Sequence, residues 1–178
     1  MKINPRHMFV PAAIAAVCSA VLAHVHHATR SFVEDGMLQK ERLAARLVLP
    51  DGLPEPVKTN INGVVCLASF GADGALLAAA LEGVSPNGYG GEIRVMAGFT
   101  ADGVLHDFKV LSANETPGLG SKISSGAFRS PLRGRPVSAG WFLKQDGGEV
   151  DAITAATVSS RAALEALRDA MEKLNNIR

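Results

Sequence analysis

Apolar and polar positions alternate most regularly between residues 93 and 110. Ile93, Val95, Ala97 and Phe99 fall on every second position, as do Val104, His106, Phe108 and Val110. A period of two puts one set on each face of a strand, so this stretch predicts two paired strands. Thr-Ala-Asp-Gly at 100–103 separates them, and Asp-Gly between apolar runs is a hairpin signal. The same design occurs upstream, as INGVVCLASF, GADG and ALLAAALEGV, and both units carry Phe-x-Ala-Asp-Gly, at 70–74 and 99–103. ALLAAALEG also suits a short helix; the reading adopted is an antiparallel sheet. SPNGYGG (85–91) and NETPGLGSKI (114–123) are too rich in glycine for element interiors and read as loops. Trp141–Lys144 and Glu149–Ile153 predict a last hairpin, turning at Asp146-Gly147-Gly148.

The two ends of the chain follow a helical period instead. In VSSRAALEALRDAMEKLNNI, the residues Leu164, Leu167, Met171 and Leu174 make one apolar stripe. Residues 29–50 predict a helix beginning near Thr29 or Ser31, with Phe32, Leu38, Leu43 and Leu47 as its stripe. Pro50 and Asp51-Gly52 end it, and LPEPVKTN is a Pro-rich connection. Strands and helices in separate blocks indicate an α+β domain.

Ahead of the first helix, MFVPAAIAAVCSAVLA (8–23) holds no charged residue, and His24, Val25, His26 and His27 extend it without a formal charge. A spanning helix needs roughly 17 to 20 mostly apolar residues, so an N-terminal transmembrane anchor is expected. Pro11 falls in the first turn, where proline is tolerated. A cleaved signal peptide, with Val21 and Ala23 at the cleavage site, is the rival reading. Lys2 and Arg6 precede the run, which keeps the N-terminus cytoplasmic and sends the remainder outside. The expected layout is a tip and anchor at 1–28, a helix and linker at 29–60, and one domain at 61–178.

Composition narrows the function. The net charge is +1 and no basic block is dense enough to neutralise a run of phosphates, which argues against nucleic acid. Cys18 and Cys66 belong to no CxxC or CxxH pair, so neither an iron–sulfur nor a zinc site is expected, and no disulfide. His24, His26 and His27 read as solvated side chains rather than metal ligands, and His106 as structural. Arg129, Arg133 and Arg135 read as a solvated or partner-facing patch, and Trp141 as core.

Candidate chemistry gathers in DAITAATVSS (151–160), where small and hydroxyl residues precede the last helix. Thr157 or Ser159 suits helix capping, because a hydroxyl there accepts a free backbone N–H. The same geometry suits a phosphate, since a helix N-terminus offers unpaired N–H groups and partial positive charge. Thr154, Ser159 and Ser160 would add hydroxyls, and Ala155 and Ala156 would let a phosphate approach the backbone. Spacing leaves both readings open.

Three pieces, in order, resemble one family. GYGGEIRVMAGFTADGVLHDFKVLSANETPGLGSKI (88–123) is similar to the central block of the FMN-binding G subunits of Rnf (Rsx) ion-translocating electron-transport complexes. DAITAATVSS resembles their flavinylation motif, Asp-x-x-Ser/Thr-Gly-Ala-Thr followed by Ser/Thr, and an anchor with a following helix matches their layout. The C subunit of the sodium-translocating NADH:quinone reductase is more distantly similar. The resemblance implies an α+β FMN-binding domain, an antiparallel sheet with flanking helices, behind a transmembrane anchor.

It further implies FMN joined through its phosphate to Thr157, with Thr154, Ala155, Ala156 and Ser159 around the attachment point. Glu115, Thr116, Gly118, Leu119 and Gly120 would form a loop against the flavin ring. Ala155 departs from the motif, which has glycine there. Asp151 matches the motif's acid, Lys122 is a candidate for neutralising the phosphate, and Tyr89 either covers the ring or shapes a turn. No side chain is expected to be catalytic, and no metal is expected.

The chain would be one subunit of a translocase in the inner membrane, relaying electrons between ferredoxin and NAD without turnover of its own. Its main domain would be periplasmic, its partners other membrane subunits and a maturing flavin transferase. Two alternatives stay open: an anchored extracytoplasmic FMN-binding protein serving another reductase or regulatory system, and a non-redox interaction module in which Thr157 only caps the helix.

Overall fold

A computed structural model describes the backbone of residues 6–177; the side chains of residues 6–10, 13, 30–35, 37 and 38 lie outside the described set. The chain divides into two units between Glu41 and Arg42.

One continuous helix, α1 (Arg6–Val48), runs through both the expected anchor and the helix expected after it. Nothing at 28–31 breaks it: neither glycine nor proline occurs there, and Thr29 turns its hydroxyl back onto the Val25 carbonyl at 2.7 Å. Among the described residues no helix is long and apolar enough to cross a membrane. The expected anchor falls partly outside them, as do Lys2 and the side chains of Arg6, Phe32 and Leu38. The stripe expected from Leu43 and Leu47 is corrected by the structure. Both are exposed, and Ala44, Ala45, Val48 and Leu49 face the core instead.

The second unit is built on a five-stranded antiparallel sheet in chain order: β1 (Val57–Ile61), β2 (Val64–Phe70), β3 (Leu76–Gly88), β4 (Gly91–Thr100) and β5 (Leu105–Ala113). The two Phe-x-Ala-Asp-Gly segments make equivalent turns. Gly74 and Gly103 both have φ of +78°, and their N–H groups donate to the carbonyls of Gly71 and Thr100. ALLAAALEG is strand, so its helical alternative is lost. Its alanines alternate between two cores, Ala79 with Leu81 on one face and Ala78 with Ala80 on the other.

Both faces of the sheet are covered. Helix α3 (Thr157–Ile177) packs on one through Ala162, Ala163, Ala166, Leu167 and Ala170. The end of α1 packs on the other, against Leu67, Ala78, Ala80 and Met96. Both contacts need glycine in the sheet. A Cβ on Gly83 would lie 1.9 Å from the Ala166 carbonyl oxygen, and one on Gly98 would lie 2.1 Å from that of Val48.

Other expectations change. SPNGYGG is largely strand: β3 reaches Gly88 and β4 starts at Gly91, leaving Tyr89-Gly90 as a two-residue turn. A bulge between Ser85 and Gly88 accommodates Pro86, which has no N–H to give a ladder. The Pro-rich connection hides β1. The last hairpin is absent as strands, and Leu143 and Val150 form only an isolated parallel bridge. Residues 120–132 form short helices, namely a 3-10 turn (Gly120–Ser124), α2 (Gly126–Arg129) and a second 3-10 turn (Ser130–Leu132).

The arginines expected as a patch are tied down instead. Asp107 is buried, and Arg129 Nε (3.1 Å) and Arg133 Nη2 (2.5 Å) donate to its carboxylate. Arg135 pairs with Glu149 and lies over the Trp141 ring. Burial alone would raise the Asp107 pKa, but hydrogen bonds from Arg129, Arg133 and the Phe108 N–H, with the charge of Arg129, outweigh it and hold the carboxyl below its usual value. A lowered folded pKa gives stability that is complete above the unfolded carboxylate range and is lost as pH falls through the folded value. Asp107→Asn is expected to lower stability by about 2 kcal/mol near neutral pH, after discounting the half-exposed Arg133. The difference from wild type should shrink as pH drops well below about 4, which urea unfolding at both pH values checks.

Candidate functional site

A cleft of about 480 Å³ opens where three segments meet: the β3–β4 turn, the loop after β5 and the start of α3. Its lining is Tyr89 from the first, Thr116, Leu119 and Gly120 from the second, and residues 155–159 from the third. Volumes in this range are typical of small-molecule sites.

Two turns of the same kind shape the walls. In the loop, the Leu119 N–H donates to the Thr116 carbonyl at 3.2 Å, with Pro117 second and Gly118 third at φ +76°. Proline second and a positive φ third is the pattern of a type II turn. Before α3, the Ala156 N–H donates to the Ile153 carbonyl at 2.9 Å, and the third residue, Ala155, has φ +62°. Ala155 therefore occupies a left-handed position that suits glycine. This gives a physical reason for the glycine of the resembling motif and makes Ala155 a strained substitute.

Ser160 stabilises that turn. Its hydroxyl donates to the Ala156 carbonyl at 2.9 Å and accepts the Ile153 N–H at 3.0 Å. Ser159 donates to the Glu115 carboxylate at 2.5 Å. Neither serine is left to cap α3. Thr157, the first helical residue, is partly exposed, and its hydroxyl has no hydrogen-bond partner among the described residues. The N–H groups of Thr157 and Val158 are likewise unpaired among them, so the helix end presents donors beside a free hydroxyl.

The expected site residues thus divide. Ala155, Ala156, Thr157, Ser159, Thr116, Leu119 and Gly120 come together around the cleft. Gly118 shapes the loop turn without lining the cleft, and exposed Thr154 occupies the second position of the other turn. Glu115 is buried behind the wall, bonded to Ser159 and to the Gly90 N–H. Lys122 and Asp151 line a separate cleft of about 240 Å³, and Asp151 pairs with Lys144 at 2.8 Å. Among the described residues no lysine or arginine lines the cleft beside Thr157, so any phosphate there would rely on the helix end. Tyr89 is 74% exposed at the tip of its turn. Trp141 is core, its indole N–H donating to the Pro136 carbonyl at 3.0 Å. Sequence reasoning missed Val158, whose exposed apolar side chain lines the cleft, and the latching role of Ser160.

Residues 88–172, which include the segments lining this cleft, make up an FMN-binding domain. The family model described as FMN-binding domain matches residues 88–172. The same overall fold recurs in the crystal structure of the C subunit of the Na(+)-translocating NADH-quinone reductase from Parabacteroides distasonis. That structure is 17% identical, covers 83% of this chain and 96% of its own, and has a TM-score of 0.57.

The sequence relatives are more specific. The G subunit of the ion-translocating oxidoreductase complex from Vibrio vulnificus is 30% identical over 84% of this chain and 81% of its own length. Its counterpart from Pasteurella multocida is 30% identical over 94% and 92%. The chain belongs to the family of G subunits of ion-translocating oxidoreductase complexes.

A left-handed alanine costs about 1 kcal/mol that glycine would not. Ala155→Gly is therefore expected to raise the stability of the flavin-free chain, with net gain below that figure because glycine also loosens the unfolded state. A shift of the urea midpoint to higher concentration is the expected reading; an unchanged or lower midpoint would remove strain at Ala155 from the account.

Proposed function

We propose that this chain is a flavin-carrying electron-transfer subunit of an Rnf-type ion-translocating oxidoreductase complex, with FMN esterified through its phosphate to Thr157. One observation carries the reading: the Thr157 hydroxyl is unengaged, at a helix end with unpaired N–H groups, on the wall of a cleft of about 480 Å³. Its neighbours Ser159 and Ser160 are both committed elsewhere, which leaves Thr157 as the acceptor among the helix-start hydroxyls.

The residues present fit such a group. The free N–H groups at the start of α3 suit a phosphate without a cation. Leu119, Val158 and Tyr89 offer apolar and aromatic surface for a flat ring, and Gly120 leaves backbone within its reach. Ester formation calls for an activated flavin nucleotide delivered by a flavin transferase. Thr157 Oγ1 attacks its phosphorus, the hydroxyl proton leaves, and the bond to the leaving group breaks with its electron pair. When bound, FMN supplies one- or two-electron transfer.

We place the partners among the other membrane subunits of the complex and the flavin domain on the periplasmic side. Anchoring falls to the uncharged run 8–23, where Ile14, Val17, Val21 and Leu22 are exposed apolar residues of the first unit.

Produced together with its attachment machinery, the wild-type chain is expected to retain flavin fluorescence after denaturing electrophoresis. Thr157→Ala should lose that band entirely, and Thr157→Ser should keep part of it. A fluorescent Thr157→Ala band would remove Thr157 as the carrier, and a colourless wild-type chain would remove the flavin.

A further inference from the structure

We infer that Glu115 is the positioning residue of the cleft: its buried carboxylate clamps the Tyr89 turn to the first turn of α3, giving the two walls one fixed spacing. This inference rests on the reading of the cleft as a flavin site.

Each carboxylate oxygen holds a different wall. Oε2 accepts the Ser159 hydroxyl at 2.5 Å, two residues beyond Thr157. Oε1 accepts the Gly90 N–H at 3.2 Å, one residue beyond Tyr89. Glu115 itself belongs to the remaining segment, the loop after β5, just before Thr116. One side chain thus joins all three segments that line the cleft.

The seat is built for it. A Cβ on Gly88 would lie 2.6 Å from Oε1, and one on Gly120 would lie 2.6 Å from Oε2 and 2.5 Å from Ser159 Oγ. At Gly90 a Cβ would lie 1.6 Å from the Asn114 carbonyl oxygen, so the turn cannot approach Glu115 with any larger residue. Ser159 is 2% exposed and Glu115 9%, so water competes little for these bonds. Among the described residues no lysine or arginine pairs with Glu115. A buried carboxylate held by neutral donors is costly, and a core of alanine and leucine does not require one. Its place at the junction of the walls gives it a use.

Glutamine can reproduce both contacts, because its carbonyl can accept from Gly90 while its amide donates to the Ser159 oxygen. Alanine can reproduce neither. Hydrogen exchange on the flavin-free Thr157→Ala chain tests the clamp alone. Adding Glu115→Ala is expected to speed exchange by about tenfold at the Gly90 amide and at the bonded amides of the first turn of α3 from Ser160 onward, together. Glu115→Gln should leave both near the parent rate. Ser159→Ala, the milder variant should Glu115→Ala misfold, should loosen the α3 segment.

On the flavin-loaded chain, Glu115→Ala should change native flavin fluorescence and the visible absorbance maximum, and Glu115→Gln should restore both. Unchanged exchange in Glu115→Ala or Ser159→Ala overturns the clamp. A loosened cleft with an unaltered flavin spectrum overturns the positioning role, and a glutamine variant that behaves like alanine assigns the effect to charge instead. A wild-type chain without flavin overturns the function proposed above, while the exchange result still decides the clamp.

Discussion

The packing of α3 on the sheet is the contact from which the rest of this domain follows. Gly83 admits the Ala166 carbonyl to a distance that no side chain would allow, and buried Ala162, Ala163 and Ala170 put small side chains between the helix and the core. Close approach multiplies dispersion contacts and excludes water from both surfaces. It also fixes where the helix begins. With α3 seated at Gly83, its first turn falls beside the β3–β4 turn and the loop after β5, and the cleft is the space those three leave.

The sheet's other face obeys the same rule. Gly98 admits the end of α1, and the alanines of β3 alternate between the two cores. A strand covered on both sides by close-packed helices has room for small residues only, which is why β3 has a composition that also suits a helix. Its identity as a strand comes from the hairpins at both ends. The Asp107 cluster serves a different purpose, holding the irregular segment after the loop to β5 through Arg129 and Arg133.

Around the cleft, conformational strain and hydrogen bonding are divided among different residues. Ala155 takes the left-handed turn position, Ser160 ties that turn to the helix, and Ser159 is turned inward to Glu115. Once those hydroxyls are engaged, Thr157 is the hydroxyl on the cleft wall at the start of α3 that has no partner among the described residues. Its reactivity as proposed would owe nothing to an unusual side chain and everything to neighbours that are occupied.

The sequence by itself determined the α+β class, both Asp-Gly hairpins, the last helix and the segments that meet at the site. Each is a local matter of period, turn chemistry or capping residues, and needs no knowledge of distant contacts. Tertiary structure alone decided that residues 85–88 continue a strand, that Leu43 and Leu47 face outward, and that three arginines are bound to acids. It alone put Glu115 behind the cleft, engaged Ser159 and Ser160, and brought Thr157 but not exposed Thr154 to the cleft wall, though the four hydroxyls look alike in one dimension. The hydrogen bond that turns Ser159 inward joins it to Glu115 across 44 residues of chain, and no local pattern carries a separation of that length.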